Sequence, residues 1–283
     1  MQHNNTSMRA KLHLIYFSPT GTTRKIVEQI ALGINARIVE HHDLTLVSSG
    51  IDARLTDGIA IIGVPVYAGR MPEICMQRME MLSAEQIPAV LAVLYGNREF
   101  EDALVELRDF SLIKGFIPYA AAAFIGEHSY STATHPIAAN RPDEDDLNKA
   151  RQFGETIAQC LKEGYQTDPP EISGSIPYRE RPPLGGISPD LIQERCTLCG
   201  TCIEICPTNV IARSDGITTD ARGCILCCAC VKNCPEQARV LDHPVLNARR
   251  EMLTTQYSTR KEPSIFMGIS IKTVPEMDCY EPG

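Results

Sequence analysis

Five short apolar runs alternate with amphipathic stretches along residues 11–163. The apolar runs occupy 11–17, 36–43, 57–66, 88–96 and 116–124. Runs of this length are typical of strands that are buried on both faces of a parallel sheet. The stretches between them carry apolar residues at helical spacing, as Ile26, Ile30 and Ile34 do in the first. The alternation predicts an α/β fold with a doubly wound, five-stranded parallel sheet covered by helices.

Residues 165–190 interrupt this alternation. They hold six prolines and three glycines and show no hydrophobic period, which is typical of an extended linker. The interruption predicts two domains, in keeping with a length of 283 residues. The predicted parts are a disordered lead-in (1–10), a first domain (11–164), the linker (165–186), a second domain (187–243) and a C-terminal helix and tail (244–283).

Charge and hydropathy exclude several classes of protein. No apolar run reaches the roughly 18 residues that a membrane-spanning helix needs. The first residues lack the apolar segment of a secretory signal, so we expect a cytoplasmic protein. The net charge of −8 argues against a nucleic acid or an anionic membrane as the partner.

The turn after the first apolar run has the composition of a phosphate-binding loop. Ser18, Thr20, Thr22 and Thr23 offer hydroxyl groups, and Gly21 allows the backbone to approach a ligand closely. A helix follows, and a helix N-terminus presents unpaired N–H groups to an anion. No lysine stands where a nucleoside triphosphate site requires one, which favours a phosphomonoester. An ordinary capped helix start is the alternative interpretation of the same residues.

Two further loops follow the third and fourth predicted strands. A doubly wound sheet binds its ligand at the carboxyl ends of its strands, where these loops lie. Both contain glycine and an aromatic side chain that could stack on a ring. We therefore expect one ligand site formed by three loops. The candidate residues of the second and third loops are Pro65, Val66, Tyr67, Ala68, Gly69, Tyr95, Gly96, Asn97 and Phe100.

On these motifs, residues 11–163 resemble the flavodoxin family, whose phosphate loop has the form Ser/Thr-x-Thr-Gly-x-Ser/Thr. The resemblance implies the strand order 2-1-3-4-5 and an FMN cofactor. Its phosphate would lie in the first loop and its ring between the other two. Many flavodoxins read Gly-Asp-x-x-Tyr in the last loop, where this chain has Gly96, Asn97 and Phe100. The missing carboxylate is expected to ease reduction of the flavin to its anionic hydroquinone.

Nine of the twelve cysteines lie within residues 196–234. All but Cys228 form two runs of the pattern C-x2-C-x2-C-x3-C-P, which is typical of bacterial proteins with two iron–sulfur clusters and in which the fourth cysteine of each run ligates the other cluster. Structural zinc sites and disulfides are the alternatives, but zinc motifs rarely repeat this spacing. The first predicted cluster takes Cys196, Cys199, Cys202 and Cys234, and the second takes Cys224, Cys227, Cys230 and Cys206.

Residues 187–240 closely resemble the bacterial dicluster ferredoxins. The resemblance implies a small α+β domain that holds two 4Fe-4S clusters. Cys228 stands inside the second run at a spacing that does not suit a ligand, so we expect it to pack against apolar neighbours. The cysteines outside the runs are interpreted as inert thiols: Cys75, Cys160 and Cys279.

Four histidines are candidates for further chemistry. His41 and His42 end the weak second strand and are interpreted as solvated. His128 and His135 lie in the loop after the fifth strand, which leaves the carboxyl edge of the sheet. That loop could line the flavin or the seam between the two domains.

The succession of the two domains resembles the flavodoxin–ferredoxin fusion proteins of anaerobic bacteria and archaea. The resemblance implies an electron-transfer protein that relays electrons between FMN, two clusters and redox partner proteins. One alternative is an FMN-dependent reductase of a quinone or nitro compound, fed through its clusters. A second is a non-catalytic iron–sulfur redox sensor. Because both loaded domains would be anionic, we expect either a fixed interface within the chain or a homodimer.

Overall fold

The computed structural model describes residues 8–46, 52–163, 168–183 and 186–268. All five apolar runs form strands, as predicted. The N-terminal elements are β1 (Met8–Tyr16), α1 (Thr22–Ile34), β2 (Ala36–Asp43), β3 (Ala53–Leu55), β4 (Ile59–Pro65), α2 (Glu73–Arg78), β5 (Leu82–Ala84), β6 (Ile87–Tyr95), α3 (Ala103–Ile113), β7 (Phe116–Ile125) and α4 (Glu144–Lys162). The C-terminal elements are β8 (Asp190–Leu191), α5 (Thr201–Glu204), β9 (Ile211–Arg213), β10 (Ile217–Thr219), α6 (Ala229–Lys232), β11 (Arg239–Val240), α7 (Pro244–Gln256) and β12 (Ser264–Met267).

The main sheet has the strand order β2-β1-β4-β6-β7-β12. Its first five strands are parallel and, numbered along the chain, lie in the order 2-1-3-4-5. The sixth, β12, pairs antiparallel with β7 and was not predicted. The C-terminal segment therefore returns to the first domain and covers the edge of its sheet.

The two faces of the sheet bury separate apolar layers. Leu12, Leu14 and Tyr16 of β1 pack with α1 and α4, whereas Ile15 belongs to the layer on the other face. This alternation follows from the two-residue period of a strand. Within the described residues, no helix has the length and apolar character needed to cross a membrane.

The described part of the linker follows a defined course along the first domain. Both oxygens of Asp102 accept backbone hydrogen bonds, from Ser175 N–H and Arg179 N–H, each at 2.7 Å. The Tyr178 hydroxyl donates to Asp109 Oδ2 at 2.6 Å. The sequence predicted an extended linker, and these contacts hold that segment against the residues around α3.

The second domain consists of short elements around the cysteine runs. The strand pairs β8–β11 and β9–β10 are both antiparallel, which agrees with the predicted α+β class. The helix predicted after residue 243 is α7, and it leads into β12. Residues 1–7 of the predicted lead-in and residues 269–283 of the tail, with Cys279, lie outside the described residues.

The linker contacts generate a prediction about Asp102. Replacing Asp102 with Ala leaves two backbone N–H groups without their carboxylate, and hydrogen bonds to charged groups contribute about 1.5–3 kcal/mol each. We expect trypsin to cleave after Arg179 at least about tenfold faster. The control is Asp215→Ala, which removes an exposed carboxylate elsewhere. Equal cleavage rates of the two variants would show that Asp102 does not fix the linker.

Candidate functional site

A cavity of about 1110 Å³ opens at the carboxyl ends of the parallel strands. The three predicted loops form one side of it. The loop after β7, the linker, the second cysteine run and α7 form the other. The predicted flavin residues that line it are Thr20, Thr22, Thr23, Pro65, Val66, Tyr67, Ala68, Gly69, Tyr95 and Gly96. Four others do not line it: Ser18, Gly21, Asn97 and Phe100.

The first loop leads directly into α1. Gly21 is the N-cap, has a φ of 82°, and makes no side-chain cap hydrogen bond. Ser18 Oγ instead accepts a hydrogen bond from Arg24 N–H at 3.0 Å, which fixes the loop against the first turn. A Cβ added at Gly21 would meet no atom within 4 Å. The loop therefore presents a glycine backbone, threonine side chains and a helix N-terminus, which together suit an anion.

The second loop is a tight turn that carries Tyr67. Tyr67 and Arg70 exchange backbone hydrogen bonds of 2.9 and 3.1 Å. Gly69 has a φ of 80°, and a Cβ there would overlap the Glu101 carboxylate. Burial raises the pKa of the Tyr67 hydroxyl well above its usual range, and the nearby thiols of Cys227 and Cys228 add to this. Tyr67 thus lies between the cavity and the second cysteine run.

The third loop differs from the prediction in its outer half. Asn97 Nδ2 donates to the carbonyl oxygens of Tyr257 and Thr259, at 2.6 and 2.8 Å. Phe100 packs edge-on against Tyr95 and against Phe266 of β12. These two residues stand at the Asp and Tyr positions of the flavodoxin motif. Here they contact the C-terminal segment instead, because β12 covers the adjacent edge of the sheet. Tyr95 and Gly96 line the cavity in this loop.

Of the four candidate histidines, His128 lines the cavity. Its Nδ1 accepts a hydrogen bond from Tyr130 N–H at 3.0 Å, so in the neutral ring the proton is on Nε2. Enclosure of the ring, and to a smaller extent the cations of Arg98 and Lys232, lower the pKa of His128 to about 4. His128 is therefore a neutral hydrogen-bond donor at physiological pH.

The other unassigned residues lie away from the cavity. His135 Nε2 forms an ion pair with Glu251 at 3.0 Å. Burial raises the pKa of the Cys75 thiol to about 12 and also raises that of Cys160, which makes both unreactive as nucleophiles. His42 is not fully solvated, because its Nε2 lies 3.1 Å from Nδ1 of the buried His13.

The eight cysteines of the two runs line two separate small cavities, which we call the first and second cages. The first cage is lined by Cys196, Cys199, Cys202 and Cys234. The second is lined by Cys206, Cys224, Cys227 and Cys230, and also by Cys228. Among the predicted ligands, each cage thus takes three cysteines from one run and the last cysteine of the other. Four thiolates around one small space fit a cubane cluster, and these are the two predicted ligand sets.

The backbone repeats between the two runs at a spacing of 28 residues. Leu198 and Leu226 have φ angles of 56° and 54°, and Gly200 and Cys228 have 88° and 59°. Cys228 therefore occupies a left-handed position that favours glycine. It packs in an apolar cluster with Leu226, Leu241 and Leu246. Burial raises the pKa of its thiol well above the usual range, as expected for a packing role.

The second cage adjoins the large cavity. Ile225 and Leu226, which stand between Cys224 and Cys227, line that cavity. Arg78 of α2 donates to the carbonyl oxygens of Leu44 and Thr45 at 2.6 and 2.7 Å, and also to that of Pro207, the residue after Cys206. The first cage shares no lining residue with the large cavity.

The contact between Gly96 and His128 generates a prediction. A Cβ at Gly96 would lie 2.2 Å from the His128 ring. We expect Gly96→Ala to displace the ring and destabilise the protein by about 1–3 kcal/mol, the usual cost of overpacking. The neighbouring Gly126→Ala is the control, because its Cβ would make an ordinary contact of 3.4 Å.

A double variant separates ring displacement from other causes. If the His128 side chain is the obstacle, Gly96→Ala should cost less in a His128→Gly background than in the wild type, because glycine also removes the His128 Cβ, which would lie 2.7 Å from the new Cβ. Thermal unfolding of the four combinations measures this coupling. An unchanged cost in both backgrounds would mean that His128 does not occupy this position.

Comparison with protein families identifies the second domain. The family described as a 4Fe-4S binding domain matches residues 189–212, which include the first cysteine run. The chain therefore contains a 4Fe-4S binding domain. No curated protein sequence matches the chain.

Solved structures of flavodoxins align with the first half of the chain. A flavodoxin from the domain Archaea is 16% identical over 54% of this chain and 99% of that one, with a TM-score of 0.35. Flavodoxin 2 from Bacillus cereus is 18% identical over 54% and 99%, with a TM-score of 0.39. Rubredoxin oxygen:oxidoreductase from Desulfovibrio gigas is 15% identical over 54% and 36%, with a TM-score of 0.36.

These alignments are too distant to carry an assignment of chemistry. The fold of the first domain follows from its own topology, five parallel strands in the order β2-β1-β4-β6-β7 with helices on both faces. The chain thus joins a flavodoxin-like α/β domain to a 4Fe-4S binding domain, a combination that fits a flavodoxin–ferredoxin fusion.

Proposed function

We propose that this protein transfers electrons between FMN, bound in the large cavity, and two 4Fe-4S clusters, bound in the two cages. One observation carries the proposal: residues between two cysteines of the second cage form part of the wall of the large cavity. A bound flavin and a bound cluster would then be separated by Tyr67, Ile225 and Leu226 rather than by solvent. Such packing suits transfer of single electrons within one chain.

We infer the ligands of each cluster from the cage that the cysteines line. Cys196, Cys199, Cys202 and Cys234 would hold the first cluster, and Cys206, Cys224, Cys227 and Cys230 the second. Each cluster carries one electron at a time, whereas FMN accepts two and releases them singly. The first cage, which does not adjoin the large cavity, would exchange electrons with partner proteins, and the second would exchange them with the flavin.

The first loop would hold the FMN phosphate. Thr20, Thr22 and Thr23 line the cavity at the N-terminus of α1, where N–H groups and the helix dipole favour an anion. The ring system would lie farther along the cavity, between the Tyr67 loop and the residues of α7. His128 would remain neutral there and donate from Nε2, so the chain places a hydrogen-bond donor without adding a full charge.

A reductase is the second candidate, and the size of the cavity favours it. The cavity of about 1110 Å³ exceeds the roughly 300–1,000 Å³ usual for a site that holds one ligand. His243, Arg249 and Tyr257 line it from the side of α7. An organic acceptor could therefore bind beside the flavin and take its electrons directly.

Val245→Trp distinguishes the two functions. Val245 lines the cavity but is 56% exposed, so a larger side chain narrows the cavity without disturbing the core. A reductase should lose turnover with quinone and nitro acceptors in this variant. A carrier should show no such turnover in the wild type and should keep its transfer between clusters and flavin.

The composition of the anaerobically purified protein tests the proposal directly. We expect about eight irons, about eight sulfides and one FMN per chain. Intact clusters without flavin would instead favour the redox-sensor hypothesis. Four irons or fewer per chain would contradict the proposal that each cage holds a 4Fe-4S cluster.

The crossed ligation predicts which double variants behave alike. Cys206→Ala and Cys224→Ala remove ligands of the same proposed cluster, so the double variant should contain no less iron than Cys206→Ala alone. Cys206→Ala combined with Cys199→Ala should affect both clusters and lower the iron content further. The control Cys228→Ala should keep about eight irons. The opposite pattern, with Cys206 and Cys199 acting on one cluster, would contradict the crossing.

The phosphate loop predicts a difference between FMN and riboflavin. A side chain at Gly21 would project into open space beside the loop and block a phosphate, so Gly21→Val should weaken FMN binding at least about tenfold. Riboflavin, which lacks the phosphate, should bind the wild type more weakly than FMN and should be less affected. Gly186→Val controls for backbone strain, because Gly186 also has a positive φ in open space. Equal affinities of the wild type for FMN and riboflavin in a fluorescence titration would show that this loop does not bind the phosphate.

A further inference from the structure

The internal repeat of the second domain fails at one buried position. The two cysteine runs share their spacing and their left-handed backbone positions at an offset of 28 residues, including Asn209 and Gln237. At the same offset Ile211 corresponds to Arg239. Both side chains are buried, at 4% and 3% exposure. An aliphatic side chain in one half of the domain is thus replaced by a cation in the other.

Arg239 lies between the two cages and lines both. Its Nη2 donates to Thr219 Oγ1 at 2.8 Å, which holds the guanidinium in place. Its Nε is buried and has no hydrogen-bond partner in the described part of the chain, and no carboxylate there forms an ion pair with it. A buried cation without a counter-charge is costly, so a ligand that completes its contacts is expected.

We propose that Arg239 sets the reduction potentials of both clusters. The inference rests on the proposed function, because it requires a cluster in each cage. An oxidised 4Fe-4S cluster with four thiolates carries about −2, and one-electron reduction makes it about −3. A cation between the two favours the reduced form of each and offsets their mutual repulsion. The unpartnered Nε–H is a donor available to a cluster or cysteine sulfur, and such hydrogen bonds also raise cluster potentials.

Neutral and charged replacements test this role. Arg239→Met should lower the equilibrium constant for reduction of at least one cluster about tenfold or more, which corresponds to about 59 mV for a one-electron couple. Arg239→Lys keeps the charge, so its cluster potentials should stay closer to those of the wild type. Arg213→Met removes an exposed arginine of β9 and should leave the potentials of both clusters unchanged. The measurement is an anaerobic redox titration followed by electron paramagnetic resonance, with iron counted in every variant.

Each outcome has a distinct meaning. Unchanged potentials in Arg239→Met with full iron content would overturn the proposal. Loss of iron in both Arg239 variants would assign the residue a structural role and overturn it as well. Loss of iron in Arg239→Met alone, with near wild-type potentials in Arg239→Lys, would support the need for a cation. A wild type without iron would instead contradict the proposed function.

A second and independent observation concerns the edge of the main sheet. His13 of β1 and Glu40 and His42 of β2 face one another on the same side of the two strands. His13 Nδ1 lies 3.1 Å from His42 Nε2 and 3.5 Å from Glu40 Oε2. Ligand atoms bound at 2.0–2.1 Å to a tetrahedral zinc ion are about 3.3–3.4 Å apart. The two separations from His13 Nδ1 are therefore close to those of zinc ligands, and the three ligand atoms all lie within 4.8 Å of one another.

The second nitrogen of His13 is held as a metal-binding histidine usually is. His13 Nε2 lies 3.1 Å from the carbonyl oxygen of Asp57, which can only accept. Nε2 therefore carries the proton, and the Nδ1 lone pair is directed at the cluster. His13 is 1% exposed, so its ring is fixed by packing. Glu40 Oε2 also lies 2.8 Å from Lys11 Nζ, and its second lone pair is available to a metal.

We infer that this cluster binds a divalent transition metal of the zinc class, with water as the fourth ligand. The neighbouring His41 is the matched control, because it points to the opposite face of β2 and lies 3.4 Å from the Tyr16 hydroxyl. The wild type and His41→Ala, each carrying its iron–sulfur clusters, should take up one zinc per chain from micromolar zinc chloride in equilibrium dialysis. His42→Ala and Glu40→Gln should take up less. Absence of zinc in the wild type, or equal uptake by the His41 and His42 variants, would overturn the site.

Discussion

Four buried arginines tie the second half of the chain to the first by hydrogen bonds to backbone carbonyl groups. Each is less than one-tenth exposed, and each bond joins residues between 109 and 129 positions apart. The pairs are Arg70 with Arg179, Arg78 with Pro207, Arg141 with Lys261, and Arg250 with Tyr130. A buried guanidinium that loses its hydrogen-bond acceptors is costly, so these bonds favour keeping the joined segments together.

The shape of the large cavity depends on these contacts. Arg70 holds the linker, Arg78 holds the end of the first cysteine run beside Cys206 of the second cage, and Arg250 holds α7 against the loop of His128. Carboxylates complete the contacts of two of them, Glu106 for Arg70 and Asp146 for Arg141. Lys232 adds an ion pair with Glu127 at 2.6 Å between the second run and the first domain. Loaded anionic domains would repel each other, and this network of cations is what opposes that repulsion.

The local patterns of the sequence predicted much of the fold. The five apolar runs became the five parallel strands because strand burial is encoded within each run. Cysteine spacing predicted the two ligand sets, and the cages bring those same sets together. The strand β12 was not predicted, because four residues carry too weak a pattern and their partner edge is chosen by tertiary packing.

The limits of motif matching are clearest in the third loop. Asn97 and Phe100 stand at the Asp and Tyr positions of a flavodoxin motif. The motif does not reveal that the C-terminal segment contacts both side chains. His128 was one of two histidines in a candidate loop, and only the register of that loop separates it from His135. The cluster around His13 joins residues of two strands and a turn, so no sequence pattern could have revealed it. Arg239 was visible in the sequence as a departure from the 28-residue repeat.

The central claim is that electrons pass between the clusters and the flavin within one chain. The most direct measurement is anaerobic reduction through the clusters, with the flavin absorbance followed in time at several protein concentrations. The account predicts a flavin reduction rate that does not depend on concentration, because the fixed interface keeps the second cage beside the cavity. A rate that rises linearly with protein concentration would contradict it.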